Sequence, residues 1–408
     1  MVLTQSKGMT KSFSHQVLRD AARLMGPSMG LHEDRKVFLE VLRKANDGMV
    51  FQFASDQLRD DQEAALESAK RAGMCLMYAS PRLRADPKVA FAAVRQDGRS
   101  LQFASPELQG DRVFLTEALK THGGALSYAS AALRADREVV FGAIEHDARS
   151  LQFASRRLRN DPEVVMQAVR RSGSAIVFAS RELRGDREII LEAVTRHGRA
   201  LACAPQKLRA DPEVVMAAVK QDGLALKFAS PELQADREFV LEAVGEDGRA
   251  LACARVDLRN DRDVIMQAVK QDGLALQYAA ESFKADKKVT SEAIRSHPRA
   301  LQYVAPALKA RKEVVLPALR RDGFTLALAA NELKDDRQVV LTAVDQNGLA
   351  LQFATKQLRA DPEVVDRAVA NNPLARMFAV ESPTRSNKQP VITKPAPKAW
   401  VKPLLMCR

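Results

Sequence analysis

The residues best equipped for chemistry are few and scattered. Six histidines (His15, His32, His122, His146, His197, His297) and four cysteines (Cys75, Cys203, Cys253, Cys407) could in principle supply metal ligands, a general base or a nucleophile. Metal ligation needs such residues at short fixed spacings, and covalent catalysis needs a nucleophile with a positioned base. Neither pattern is present. The chain has no HExxH, CxxC or GxSxG motif and no glycine loop able to cradle a phosphate, so neither a cofactor nor a metal is expected.

Three charged series are more orderly. Aspartate recurs every 25 residues, through Asp86, Asp111, Asp136, Asp161, Asp186, Asp211, Asp236 and Asp261. Paired carboxylates can act as general acid and base. Two residues before this Asp, Arg or Lys stands at eleven of thirteen places, as in Arg59, Arg84 and Arg134. That ladder could hold phosphate or an acidic peptide, or pair with the aspartates. The third series has a 50-residue period: Arg99, Arg149, Arg199, Arg249 and Arg299, with Gly124, Ser174, Leu224, Leu274 and Phe324 between.

The elements that carry these series explain their spacing. Leu151 to Ala175 reads LQFASRRLRNDPEVVMQAVRRSGSA, and related 25-residue stretches run from 51 to 380 without insertion or deletion. They make thirteen full repeats and the start of a fourteenth. A period in this range signals a repeat array in which each repeat buries its apolar face against neighbours. Numbering positions from 1 at Leu151, position 11 is the recurrent Asp, and Pro follows it at Pro87, Pro162, Pro212 and Pro362. Asp followed by Pro is an N-cap with a residue that has no N–H to satisfy. The aspartates are therefore expected to cap a helix that starts at position 12 and buries positions 14, 15, 18 and 19. Ala at position 18 in all repeats but one (Ser68) implies that another backbone comes close there.

Position 23 is Gly in eleven of fourteen occurrences, but Ala148, Pro298 and Pro373 are not compatible with a required left-handed cap. Positions 22 and 23 are instead expected to cap and open a second helix, with His122, His197 and His297 taking the place of Asp at position 22. This helix carries Leu at 1, an aromatic at 3 and Ala at 4. It ends near 5, because Pro follows at 6 in Pro81, Pro106, Pro231 and Pro306. Ser at 5, as in Ser80 and Ser105, would cap one short turn that carries Leu at 8 inward. Position 3 is placed on the apolar face, so Cys203 and Cys253, which occupy it, are expected to be core residues. The fold class is all-α: an α-solenoid of about thirteen to fourteen 25-residue helix-turn-helix repeats.

The stretch GLALKFASPELQADREFVLEAV, from Gly223 to Val244, resembles the repeats of the domain of unknown function 4116 family, which are about 50 residues long. The similarity extends over about 330 residues. It implies an all-helical repeat protein and brings no activity with it.

Three regions follow: an N-terminal segment with an atypical capping repeat (1–50), the array (51–380), and a basic Pro-rich tail (381–408). The segment from Gln16 to Met25 has helical spacing. At Asp34 a repeat-like stretch, DRKVFLEVL, begins two residues out of register with the array. The first 19 residues contain Lys7, Lys11 and Arg19 and no acid, which is faintly like an organelle transit peptide, but a plain frayed N-terminus is the favoured reading. The cysteines show no disulfide framework, which fits a reducing, cytoplasmic setting. No apolar run approaches the roughly 20 residues of a membrane helix, so no membrane insertion is expected.

The net charge is +12, and six of the cations lie between Ser382 and Arg408, where there is no acid. Lys394, Lys398, Trp400, Lys402, Leu404 and Leu405 are candidate anchors of a docking tail; the alternative is a solubilising end. The alternating Arg99, Arg149, Arg199, Arg249 and Arg299 are the candidate interaction surface. The expected function is a non-enzymatic scaffold for protein partners. The alternative is an RNA-binding helical repeat protein that uses its Arg/Lys ladders.

Overall fold

A computed structural model of the chain describes residues 35–380. The expected helix at 16–25 and the tail anchors Lys394, Lys398, Trp400, Lys402, Leu404 and Leu405 lie outside the described residues. The described residues are helical repeats without a β-strand. They fall into two compact blocks, Met1–Gln271 and Asp272–Arg408.

Each repeat has three parts. In the repeat at Leu151 a 3₁₀ segment (Ala148–Phe153) leads to a short turn (Leu158–Asn160) and then an α-helix (Pro162–Arg171). The α-helix begins after its aspartate and buries Val164, Val165, Ala168 and Val169 completely. The sequence pattern predicts a helix from position 23 to about position 5, but the element observed is 3₁₀ and ends at position 3. Its bonds join Ser150 N–H to Asp147 carbonyl (2.9 Å) and Ala154 N–H to Leu151 carbonyl (3.2 Å). With three residues per turn, every third side chain eclipses the last. Ala148, Leu151 and Ala154 thus form one buried row, Arg149 and Gln152 one exposed row, and Ser150 and Phe153 a third. The third row is buried at Ser150 and half-buried at Phe153.

Stacking is specified mainly by backbone. Within the first block, Gly73–Tyr78 packs on Gly98–Phe103, and Gln62–Arg71 packs on Pro87–Gln96. The glycine common at position 23 suits this close approach and is not there for a positive φ, and Ala148 and Pro298 show that the same segment also forms with a Cβ. A Cβ on Gly98 would lie 2.2 Å from the carbonyl oxygen of Ala118, and one on Gly273 would lie 2.1 Å from that of Ala293. Position 18 of the next repeat is therefore the backbone whose proximity its small residue implied. Two further bonds join consecutive repeats. The position-5 N–H donates to the preceding position-9 carbonyl, as in Ser80 to Arg59 (2.9 Å) and Thr355 to Lys334 (3.1 Å). The position-23 N–H donates to the side chain at position 21 of the next repeat, as in Gly73 to Gln96 Oε1 (2.6 Å) and Gly348 to Asn371 Oδ1 (2.8 Å).

Two irregularities have local causes. The helix Arg35–Ala45 precedes the 3₁₀ segment Gly48–Phe53 and packs on Gln62–Arg71 as the α-helix of a repeat. Its two-residue offset comes from one extra helical residue and from Asn46, whose φ of 51° makes a left-handed helix end. In the second block, Pro317 lies inside Lys312–Leu319, which ends after 8 residues where its neighbours run for 10.

Candidate interaction surfaces

The Arg series at position 24 occupies the exposed row of the 3₁₀ segments. Arg99, Arg149, Arg199, Arg249 and Arg299 are all exposed. A cation in a first helical turn opposes the helix dipole, and here each has a carboxylate at hand. Arg99 meets Asp97 (2.7 Å) and Arg149 meets Asp147 (3.6 Å). Arg199 reaches Asp222 of the next repeat (3.0 Å), and Arg299 reaches Asp322 (3.1 Å). Arg249 spans Asp247 (2.6 Å) and Asp222 (3.4 Å), so Asp222 is shared by two arginines. The hydrogen bond from Arg99 holds the Asp97 carboxyl below its ordinary range. The same aspartates cap the 3₁₀ segments: Asp97 accepts from Arg99 N–H at 3.0 Å and Asp247 from Arg249 N–H at 2.9 Å. His122, His197 and His297 make no such bond, so these histidines do not substitute for Asp as caps. His122 instead stacks on Tyr128, with ring centroids 6.1 Å apart.

The position-11 aspartates each accept from backbone N–H groups at the start of an α-helix. Asp86 takes Lys88 N–H (2.8 Å), Asp111 takes Val113 (2.7 Å), and Asp136 takes Val139 (3.1 Å). Asp161 takes Glu163 (3.0 Å), Asp186 takes Glu188 (3.0 Å), and Asp211 takes Glu213 (3.0 Å). Asp236 takes Glu238 (2.9 Å), and Asp261 takes Asp263 (2.9 Å). Their ionic partners are not the position-9 cations. For Asp136, Asp161, Asp211 and Asp261 they are Arg at position 12 of the preceding repeat, which bridges Asp at 11 and the acid at 13, whereas Gln62, Pro87, Pro162 and Pro212 stand there before Asp86, Asp111, Asp186 and Asp236. Arg187 contacts Asp211 (2.9 Å) and Glu213; Arg237 contacts Asp261 (2.8 Å) and Asp263 (2.7 Å). These hydrogen bonds lower the Asp211 and Asp261 carboxyls from their usual values. The signal is present in the sequence, because position 12 is Arg or Lys in eight of thirteen repeats. Its partner, however, stands 24 residues away.

The position-9 side chains have a different task. They are half-buried and lie over the carbonyl end of the 3₁₀ segment of their own repeat. Arg59 Nη2 donates to the Gln52 carbonyl (2.9 Å), and Lys309 Nζ donates to that of Gln302 (2.7 Å). Gln109 is uncharged, yet its Nε2 donates to the carbonyls of Leu101, Gln102 and Ala104 at 3.3, 3.1 and 3.1 Å. The position thus calls for a donor at a helix end more than for a charge. Burial lowers the Lys309 amine below its ordinary value.

Position 3 is not core, contrary to expectation. Its aromatics, and Cys203 and Cys253 in their place, are half-buried, because position 3 falls on the third row of the 3₁₀ segment. Cys75, at position 25, is the buried thiol, and burial pushes it up to about 12. A further row is not evident from the sequence pattern. Position 16 carries large apolar side chains on the outer side of the α-helices, including Leu66, Phe91, Phe141, Leu191, Leu241 and Met266, all half-buried. A shallow cleft there is lined by Leu241, Asp263, Met266, Gln267 and Lys270. Among the described residues, no group of His, Cys, Asp or Glu is placed to hold a metal, and no helix is long and apolar enough to cross a membrane.

Stacked 3₁₀–turn–α repeats, joined within each block by backbone bonds, define an all-α solenoid repeat protein. A family model described as Domain of unknown function (DUF4116) matches residues 34–84, 86–134, 136–184, 186–234, 236–284, 261–309, 311–359 and 336–382. The chain belongs to that family. No curated protein and no solved structure matches it. The matches that start at 261 and 336 overlap their neighbours by half a period, so the 50-residue pattern fits the array in either 25-residue phase toward the C-terminal side.

Proposed function

We propose that the chain is a non-enzymatic repeat scaffold that binds protein partners through the exposed row at positions 24 and 2, with a contribution from its C-terminal tail. The observation that supports this is a constant buried frame bearing a surface row whose side chains vary in type, exposed at the arginines and mostly half-buried between them. Positions 1, 4, 8, 14, 15 and 18 are buried in nearly every repeat, while position 24 alternates between Arg and smaller or apolar residues. Within each block such a row offers a partner different side chains at a fixed spacing. The charge distribution favours a protein partner over nucleic acid. Affinity for a polynucleotide rises with the number of phosphates that cations neutralise. Here the arginines of the row already sit beside carboxylates, and two of the position-9 cations are directed at carbonyls.

The test is the Arg99/Arg149/Arg199/Arg249/Arg299→Ala variant of the full chain. Its far-ultraviolet circular dichroism and thermal midpoint should stay close to wild type, while protein partners captured by wild type are lost. Binding of mixed-sequence RNA by wild type, steeply salt-dependent and abolished in the variant, would replace the scaffold reading with the nucleic-acid one.

A further inference from the structure

We infer that the last repeat of the second block, Pro362–Asn371 with Pro373–Phe378, is a docking face for the chain's own segment beyond Val380, with Trp400, Leu404 and Leu405 as its apolar anchors. This face adjoins the end of the exposed row, since Leu374 and Met377 stand at positions 24 and 2, and adds to it Val365 and Val369 at positions 15 and 19. It leaves open apolar surface that inner repeats hide. Val365 and Val369 are half-buried, whereas Val165 and Val169, at the same positions of an inner repeat, are 0% exposed. Leu374 is 66% exposed, while Leu349, its counterpart one repeat earlier, is half-buried. Met377 is 73% exposed against 43% for Met77 at the same position, and Val380 is 39% exposed. Among the described residues, three of the seven large exposed apolar side chains fall within Leu374–Val380.

Polar substitution finishes this face only at its border. Asp366 stands where inner repeats mostly carry Met, Leu or Phe, and Arg376 stands where they carry Leu, Ile or Phe. Both are exposed. Arg367 is held by Asp345 at 2.6 Å. Between these residues the strip of Val365, Val369, Leu374 and Met377 remains apolar. In inner repeats the valine part of such a strip is buried, as at Val165 and Val169, while positions 24 and 2 stay partly or fully exposed.

The chain has material to cover it. It continues for at least 28 residues past Val380, more than one 25-residue repeat. That stretch contains Trp400, Val401, Leu404 and Leu405 close together. It also has six cations and no acid from Ser382 onward, which suits the Asp366 carboxylate on one side of the face and not the Arg376 guanidinium on the other, so the apolar anchors carry the contact. Trp400 follows Val380 by 20 residues, a reach of up to roughly 65 Å when extended, ample for a return to the repeat just left.

Trp400 is the only tryptophan, so the emission of the intact chain reports on this contact directly. In the folded full-length protein its emission should be blue-shifted and several-fold less accessible to acrylamide than in urea. Leu374→Glu/Met377→Glu should move it to the hydrated value while the circular dichroism of the array is retained. Leu404→Ser/Leu405→Ser should do the same without touching the array, which covers the case in which the first variant fails to fold. Hydrated emission in the wild-type protein would overturn the inference, as would emission that neither variant moves. A blue shift lost on dilution would assign the face to a second copy, and docking within one chain would be wrong.

Discussion

At the scale of single residues, the same substitution should have opposite effects at two glycines. Gly98 has no room for a Cβ, since the Ala118 carbonyl oxygen would lie 2.2 Å away. Gly98→Ala should lower the unfolding free energy by about 1–3 kcal/mol, read from urea midpoints. Gly142 sits inside the helix Arg137–His146, with open space within 4 Å of where a Cβ would stand. Gly142→Ala should raise stability by roughly 0.5–1 kcal/mol. The capping aspartates give a pH signature. Asp211 and Asp261 have folded values below those of the unfolded chain. Their contribution is therefore complete above the ordinary Asp value of about 4 and is lost as pH falls through the lower folded values. Urea titrations should show stability falling from about pH 5 toward pH 3. The fall should be shallower in Asp211→Asn/Asp261→Asn, and an unchanged slope would remove these groups from the acid response.

At the scale of the element, Pro317 interrupts a helix whose neighbours run two residues longer, 10 against 8. Pro317→Ala should restore the missing hydrogen bond and stabilise the array on the order of 1–3 kcal/mol, read from the thermal midpoint. Conversely, Ala168→Leu should cost about 1–3 kcal/mol, because position 168 is fully buried. The α-helices are legible in the sequence because Asp, Pro and the pattern of Val164, Val165, Ala168 and Val169 all describe one ten-residue segment. The 3₁₀ segment is not. Over six residues, periods of 3.0 and 3.6 place Leu151 and Ala154 on similar faces, and Phe153 is the residue that separates them. The position-9 ladder misleads for a related reason. A cation two residues before an Asp suggests a pair, whereas the actual neighbours of Arg59 are carbonyls of the preceding 3₁₀ end. The arginine row can be found as an alternation, but the carboxylates that flank it come in part from adjacent repeats.

At the scale of the whole molecule, stability should behave as a sum over repeats and their junctions. Rungs such as Arg187 to Asp211 and Arg237 to Asp261 are solvent-exposed, and exposed ion pairs contribute little to stability. Raising the salt concentration should therefore lower the thermal midpoint only modestly, since backbone bonds and buried apolar rows carry most of the junction. A steep loss of the midpoint with salt would show that the ladder matters more than its geometry allows.

The closeness of Gly98 to Ala118, and of Gly273 to Ala293, also constrains how such a gene can change length. One inserted codon between those partners would shift the glycine off its carbonyl and move every later contact of that junction out of register. Copying a whole 25-codon period preserves each glycine, each alanine and each stitch. Growth and shrinkage by recombination between copies are thus tolerated where single-codon slips are not, and the genome would see this protein as a tape cut only at its marks.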